Sequence, residues 1–600
     1  MKRRNFLAVL LLSMGVVLSA CSSDSNNDGP DPTPGPGEDT GYGYFALKAS
    51  DSNVPVMTKA DPDDGNTEIG TEDESNIKAI RIVLYNAANG AVNYTFDYTT
   101  TTTTGAVAGS AIAGAGSGGK YTYFTPTGGY TSSGILAGSQ ADFQNGIKTE
   151  GELVVLQDYK LLVLVNPTTE MKTWTAVSGG LTADAFLAQV KKGLPANQEY
   201  LYFTGASTNE FVMSNFQGFI NVKESDLKQT KSAAETAPVE VYVERAVAKV
   251  QFAAKGYDLD QVDTDNKAIL ENANWNLDIT NTASYIMRHQ APMYNGNTEY
   301  TNPAVAAVSR YHFYAQDPNM KDVSWEKYLY YGNAVPSGLQ SVNPNTVFNY
   351  LTDAEVNKPL SASATVTNHL YTFENTMDAD EQYEDVTTAA ILKIDFKPIK
   401  TAVDGLTGFT PGETQNATGW SQYYVWTYGS TKYVFTAENL AKIAAMVTLD
   451  PAYVEFTALH EFLTNTTATQ DDAGNPISGG SKGMLEGLFG DDYAFNGVAL
   501  PTESMNSAVV GGSMLTYYHT PTNYYRVLVR HFNNTLVPTP MAYGRYGVVR
   551  NNVYKLTLNT VYSPGDITIP KPTGPDDKYA YLGVDIKVLP WIIRTQDVEL

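Results

Sequence analysis

Val239-Glu240-Val241-Tyr242-Val243-Glu244-Arg245-Ala246-Val247-Ala248-Lys249-Val250-Gln251-Phe252 follows directly on Pro238. Val239, Val241 and Val243 share one face at a spacing of two, the pattern of a strand with one side buried. A domain boundary is placed near this strand. Upstream, residues 77–85 and 152–156 read as further strands, and Tyr-Lys-Leu-Leu-Val-Leu-Val at 159–165 is an unbroken apolar run suited to a central buried strand. Downstream, strand-like pieces alternate with polar loops, and the chain closes on strand signals at 523–531, 552–559 and from 581 to the end. Composition agrees, because tyrosine numbers 40 against 22 phenylalanines, and tyrosine favours pleated, half-exposed surfaces. The expected class is all-β, mainly β with a few short helices, in two β-sandwich domains. Thr182 is expected to cap a helix through Lys192, and 436–446 is the single convincing helix, with Leu440, Ile443 and Ala444 in a stripe.

The 600 residues carry a formal charge of -24. That excess argues against nucleic acid, since phosphate binding needs clustered Lys and Arg. The N-terminus is equally informative: Lys2, Arg3 and Arg4 precede an apolar stretch, and Leu18-Ser19-Ala20 leads to Cys21, the chain's one cysteine. This reads as a lipoprotein signal, residues 1–20 being removed and Cys21 acylated. With that thiol consumed, disulfide, thiolate-metal and cysteine-nucleophile chemistry are excluded. Residues 22–41 form a proline-rich polar spacer. A short strand follows at 42–49, with Phe45, Leu47 and Ala49 on one face, and then an acidic linker.

Catalytic and metal motifs are weak. Gly114 to Lys120 resembles a phosphate loop, but Tyr121 stands where Ser or Thr would hold magnesium. Asp61, Asp63 and Glu72 fall at calcium-loop positions, yet Gly65 comes one place early and Pro62 blocks the turn. His460-Glu461 lacks a second histidine. The expectation is no enzyme, no metal and no cofactor. The last segment, Tyr-Leu-Gly-Val-Asp-Ile-Lys-Val-Leu at 581–589, puts Leu582, Val584, Ile586 and Val588 on one face, and Trp591 and Ile593 continue it. Such a strand is either the last strand of its own sandwich or an extension that another subunit accepts.

Together the lipoprotein signal, the strands at 77–86, 160–166, 243–250 and 546–556, and the ending at 588–600 resemble the fimbrillins of Bacteroidales, which build type V pili. The end resembles the long Mfa-type shaft subunits. The resemblance implies transthyretin-like sandwiches and a precursor carried to the outer membrane as a lipoprotein. It further implies proteolytic removal of the first strand after a basic residue, and head-to-tail polymerisation by donor-strand exchange into surface fimbriae for adhesion. On this chain the displaced strand would carry Phe45, Leu47 and Ala49, and the donor would carry Leu582, Val584, Ile586, Val588, Trp591 and Ile593. The cut would follow Lys59, ahead of Ala60; there is no arginine between Arg4 and Arg81, and Lys48, inside the strand, comes second. The implied domains are 21–59 as spacer and removable strand, 60–237, 238–580, and a donor at 581–600. The implied partners are copies of itself, anchor and tip subunits, the outer membrane before processing, and surface ligands. Alternatives are a tip or accessory adhesin, or a lipid-anchored carbohydrate-binding protein or hydrolase.

Overall fold

The computed structural model describes residues 42–51, 67–68, 79–99, 108–109, 147–148, 152–192, 211–216, 218–288, 348–360, 369–376, 386–429, 431–446, 456–471, 473–490, 507–531, 546–570, 584–587 and 591–599. The protein is mainly β, as expected, with short helices between sheets.

The N-terminal sheet runs in the order Ala108–Gly109, Val92–Thr99, Ala79–Asn86, Tyr159–Val165, Met213–Asn215, Val239–Arg245, Leu47–Asp51, Ile147–Lys148. Tyr159–Val165 is central, and every residue but Lys160 is buried, which is why its sequence is a continuous apolar run. The chain then leaves this sheet within two residues. Ala246 and Val247, each 1% exposed, connect Val239–Arg245 to Ala248–Ala254, and the latter belongs to a second sheet. The strand read from sequence as adjoining a boundary is therefore the last to enter the first sheet, and the crossover falls just beyond it.

That second sheet is ordered His369–Thr372, Ala248–Ala254, Asn552–Thr560, Trp591–Glu599, Thr67–Glu68. A third, Lys358–Pro359, Ala268–Asp278, Ala389–Pro398, Thr522–Leu528, packs on it. Phe252 of one meets Trp275 of the other edge to face at 5.8 Å, a favourable aromatic geometry.

The described residues between 399 and 521 form a module inserted between two paired strands, since Asp395 lies opposite Thr522. It holds its own four-stranded sheet, Thr431–Phe435, Tyr423–Tyr428, Ser513–Tyr518, Ser507–Val510. Helices Ala437–Ala445, Thr457–Thr464 and Gly480–Phe489 cover it around a separate core that includes Trp426, Leu440, Phe456 and Leu485. The helix expected at 436–446 is present, capped by the Thr436 hydroxyl accepting from Asn439 N–H at 3.1 Å. It is not the single one, however, because 457–464 and 480–489 are helical too. The helix expected from Thr182 to Lys192 is shorter: Thr182 caps Ala183–Leu187, after which Val190–Lys192 is a strand paired with Ala283–Tyr285. Tertiary pairing overrides the local helical spacing there, and β-branched Val190 suits it.

The C-terminus is a hairpin of Val584–Lys587 and Trp591–Glu599, with Pro590 between them in sequence. A single strand was expected.

Candidate functional site

The slot filled by the first strand is the candidate site. Sequence predicted one strand at 42–49; the structure divides it at Ala46. Tyr42–Phe45 pairs antiparallel with Glu152–Val155, and Leu47–Asp51 pairs parallel with Val239–Arg245. Changing partners mid-strand lets one short segment close two ladders. Tyr44 N–H donates to the Lys228 carbonyl at 2.6 Å, Lys228 N–H returns to the Tyr44 carbonyl at 2.9 Å, and Val239 N–H donates to the Ala46 carbonyl at 2.8 Å.

Side chains lock both faces. Phe45 at 2% exposure and Leu47 at 0% join the core that includes Val154, Leu227, Val241 and Val243. On the other side Tyr44 and Ala46 pack with Ala234, carried on the helix Lys231–Thr236 that Thr230 caps. Gly43 is required by close approach: a Cβ there would lie 2.9 Å from both Leu156 Cδ2 and Leu227 Cβ. Burying Phe45 and Leu47 contributes roughly 1.5–3 kcal/mol each. Among the described residues, the far edge of Leu47–Asp51 meets only the two-residue strand Ile147–Lys148. Its loss would leave the ladder from Val92–Thr99 to Val239–Arg245 continuous and expose one edge of Val239–Arg245.

The far end of that edge strand is fixed by buried charge. Arg288 Nε donates to Glu244 Oε1 at 2.8 Å, and Arg550 Nε donates to Glu374 Oε2 at 2.7 Å. Arg245 donates from its guanidinium to Asn551 Oδ1 at 3.2 Å. Burial pushes the Glu244 carboxyl up, to about 7, while Arg288 and Arg550 pull it down. These groups satisfy each other within the fold. Nothing in the sequence pairs Glu244 with Arg288 or Glu374 with Arg550, residues 44 and 176 positions apart.

Of the residues singled out from sequence, Phe45 and Leu47 are core, and Ala49 lies opposite Val241 in register. Val584 and Ile586 fall in the first arm of the C-terminal hairpin, and Trp591 and Ile593 in the second. That second arm runs parallel to Asn552–Thr560, with Ile593 opposite Val553. Cys21, Lys59, Ala60, Leu582 and Val588 lie outside the described residues, as do the phosphate-loop-like run and the calcium-like spacing. His460 Nε2 lies 2.8 Å from the Met446 carbonyl, and among the described residues no group of three or more His, Cys, Asp or Glu could hold a metal ion.

Residues 516–597 match the family model described as the major fimbrial subunit protein type IV, fimbrillin, C-terminal. Over those residues the chain is similar to the fimbrillins. The major fimbrium subunit FimA type-4 of Porphyromonas gingivalis is 33% identical over 95 residues, which is 16% of this chain and 22% of that protein. The matched stretch thus spans about a fifth of that relative. Among solved structures, a cell adhesion protein from Parabacteroides distasonis overlays 89% of this chain and 95% of its own, at 10% identity and a TM-score of 0.35. A fimbrial assembly protein from the same species overlays 68% of this chain and 99% of its own, at 14% identity and 0.25. The tip fimbrial protein Mfa3 of Porphyromonas gingivalis overlays 66% and 97%, at 10% and 0.26. At these TM-scores no residue-by-residue correspondence holds. The fimbrillin match itself runs from the strand Ser513–Tyr518 through the second sheet to the C-terminal hairpin.

Proposed function

We propose that this chain is a fimbrillin, a structural shaft subunit of a surface fimbria assembled by strand exchange. It is exported with Cys21 as its lipid anchor, trimmed after Lys59, and stripped of residues 42–51. The C-terminal segment of a neighbour, carrying Val584, Ile586, Trp591 and Ile593, then fills the slot beside Val239–Arg245. A precursor held in this way carries its acceptor edge covered and its donor docked on its own second sheet. Domains divide near the crossover at Ala246-Val247, and the partners are further copies with anchor and tip subunits at the ends. No catalysis or cofactor is part of the reading.

The observation that supports it is the place of the first strand at the border of its ladder. That strand has buried apolar anchors and main-chain bonds, yet it borders the ladder rather than bridging its centre. Strand addition needs such a site, with main-chain bonds for affinity and alternating pockets for specificity. A heterologous contact repeated head to tail makes an open filament. Burying four or five donor side chains gives on the order of several kcal/mol per joint. The test is a synthetic peptide of residues 581–600 added to protein lacking the first strand. Saturable binding that restores protection to the Lys228 and Val239 amides is expected; binding that leaves those amides exposed, or none at all, overturns the assignment of the slot.

A further inference from the structure

Between Asn552–Thr560 and the C-terminal hairpin runs Val561-Tyr562-Ser563-Pro564-Gly565-Asp566-Ile567-Thr568-Ile569-Pro570, which forms no strand of its own. Its main chain is nonetheless gripped from end to end. Val561 N–H donates to the Asp263 carbonyl at 2.8 Å. Three successive carbonyls are each taken by a side chain: Ser563 by the Tyr525 hydroxyl at 2.9 Å, Pro564 by the Lys432 ammonium at 2.7 Å, and Gly565 by the Tyr518 hydroxyl at 2.6 Å. Asp566 and Tyr524 exchange backbone bonds at 2.9 and 2.8 Å, and Arg526 Nε closes the run on the Pro570 carbonyl at 3.0 Å.

The grip is also shaped. A Cβ on Gly565 would lie 2.4 Å from the Tyr524 carbonyl oxygen and 2.8 Å from Tyr525 Cζ, so glycine alone fits. Tyr518 is held by stacking on Tyr423, with centroids 4.7 Å apart and planes 9° apart. Ile569 packs against the cluster of Leu351, Val356, Ile391 and Tyr524. Burial raises both the Tyr518 and Tyr525 hydroxyls well above the ordinary tyrosine value, which keeps them as donors. Irregular backbone away from a ladder must find partners elsewhere, and here side chains from three separate strands supply them.

We propose that residues 561–570 are a clamped base for the C-terminal arm, and that the inserted module at 399–521, through Lys432 and Tyr518, supplies half of the clamp. Resting on the strand-exchange reading, the base confines the transferable arm to the chain beyond Pro570. The inserted module thereby gains a role in anchoring the base of that arm.

Hydrogen exchange resolved to single amides in the full-length precursor tests the base without any polymer. Val561 and Asp566 are expected to exchange about 100-fold or more slowly than the same amides in an unstructured peptide of residues 561–570. Rates equal to those of the free peptide would overturn the base. Gly565→Ala should speed exchange at Asp566 by about tenfold or more while leaving Asn552–Thr560 unchanged, the signature of a local opening; an unchanged Asp566 counts against the clamp. A disulfide joining Tyr524→Cys to Asp566→Cys, across a bonded antiparallel pair of suitable spacing, should leave multimer formation after trimming intact. Multimers formed by the reduced double variant but not by the disulfide form overturn the base. Failure of the uncrosslinked chain to multimerise would sink strand exchange instead, and amide exchange would still decide the base.

Discussion

Leu47→Ala isolates the hold of the first strand. Leu47 is fully buried in the main core, and removing such a leucine costs about 2–5 kcal/mol, the spread reflecting how far the site collapses. Because Leu47–Asp51 borders rather than bridges the ladder, the cost should fall on opening of that strand alone. At 1.36 kcal/mol per tenfold, it raises the open population by about 30-fold to several thousand-fold. Two amides report this directly: Lys228 N–H, which donates to Tyr44, and Val239 N–H, which donates to Ala46. Both should exchange faster by that factor, while Asn166 N–H, bonded to the Ala79 carbonyl at 2.8 Å, keeps its rate. Equal acceleration at all three would mean the strand comes out only with the whole domain. No acceleration would mean its anchors do not hold it. Either result refutes the separable strand.

Gly43→Ala must displace both Leu156 and Leu227, and overpacking of this kind costs about 1–3 kcal/mol; faster exchange at Lys228 without loss of the far sheet is the expected result. Arg550→Ala leaves Glu374 buried and unpaired, and urea titration should show a loss of about 3–5 kcal/mol. Lys442 bonded to Glu413 holds that carboxyl down to about 2. Its stabilising effect is therefore present above the ordinary carboxylate range and lost as pH falls through about 2. Carboxylate titration by NMR should show that low midpoint, and Lys442→Ala should return it toward the ordinary value. Trp426→Ala, in the module's own core, should cost about 3–5 kcal/mol and melt the module in calorimetry, while the ring contact of Phe252 with Trp275 in the main sheets is kept.

The parts of the fold legible in sequence are those where one pattern meets one environment. Tyr159–Val165 is apolar throughout because both its faces are covered, and Thr436 announces its helix through a cap and a stripe. Gly480–Phe489 hides its helix behind three glycines at Gly480, Gly483 and Gly487, each lowering helix propensity. Gly480 is needed there, with φ at +67° and no room for a Cβ beside the Asn465 carbonyl oxygen. Thr457–Thr464 did carry a signal in Leu459, Phe462 and Leu463, spaced for one helical face. The inserted module was invisible because what defines it, Asp395 against Thr522, is a pairing across 127 positions. The first strand was legible as an alternation but its division was not, since the change of partner at Ala46 depends on where Lys228 and Val239 stand. The buried pairs of Glu244 with Arg288 and Glu374 with Arg550 carry no local signature at all.

The most direct test of strand exchange is to cut the purified precursor with a lysine-specific protease, sequence the new N-terminus, and run unheated samples on a denaturing gel. A start at Ala60 with a ladder of multimers, abolished by deleting residues 581–600, is the predicted result. A stable monomer after that cut, or a ladder that survives the deletion, would contradict it.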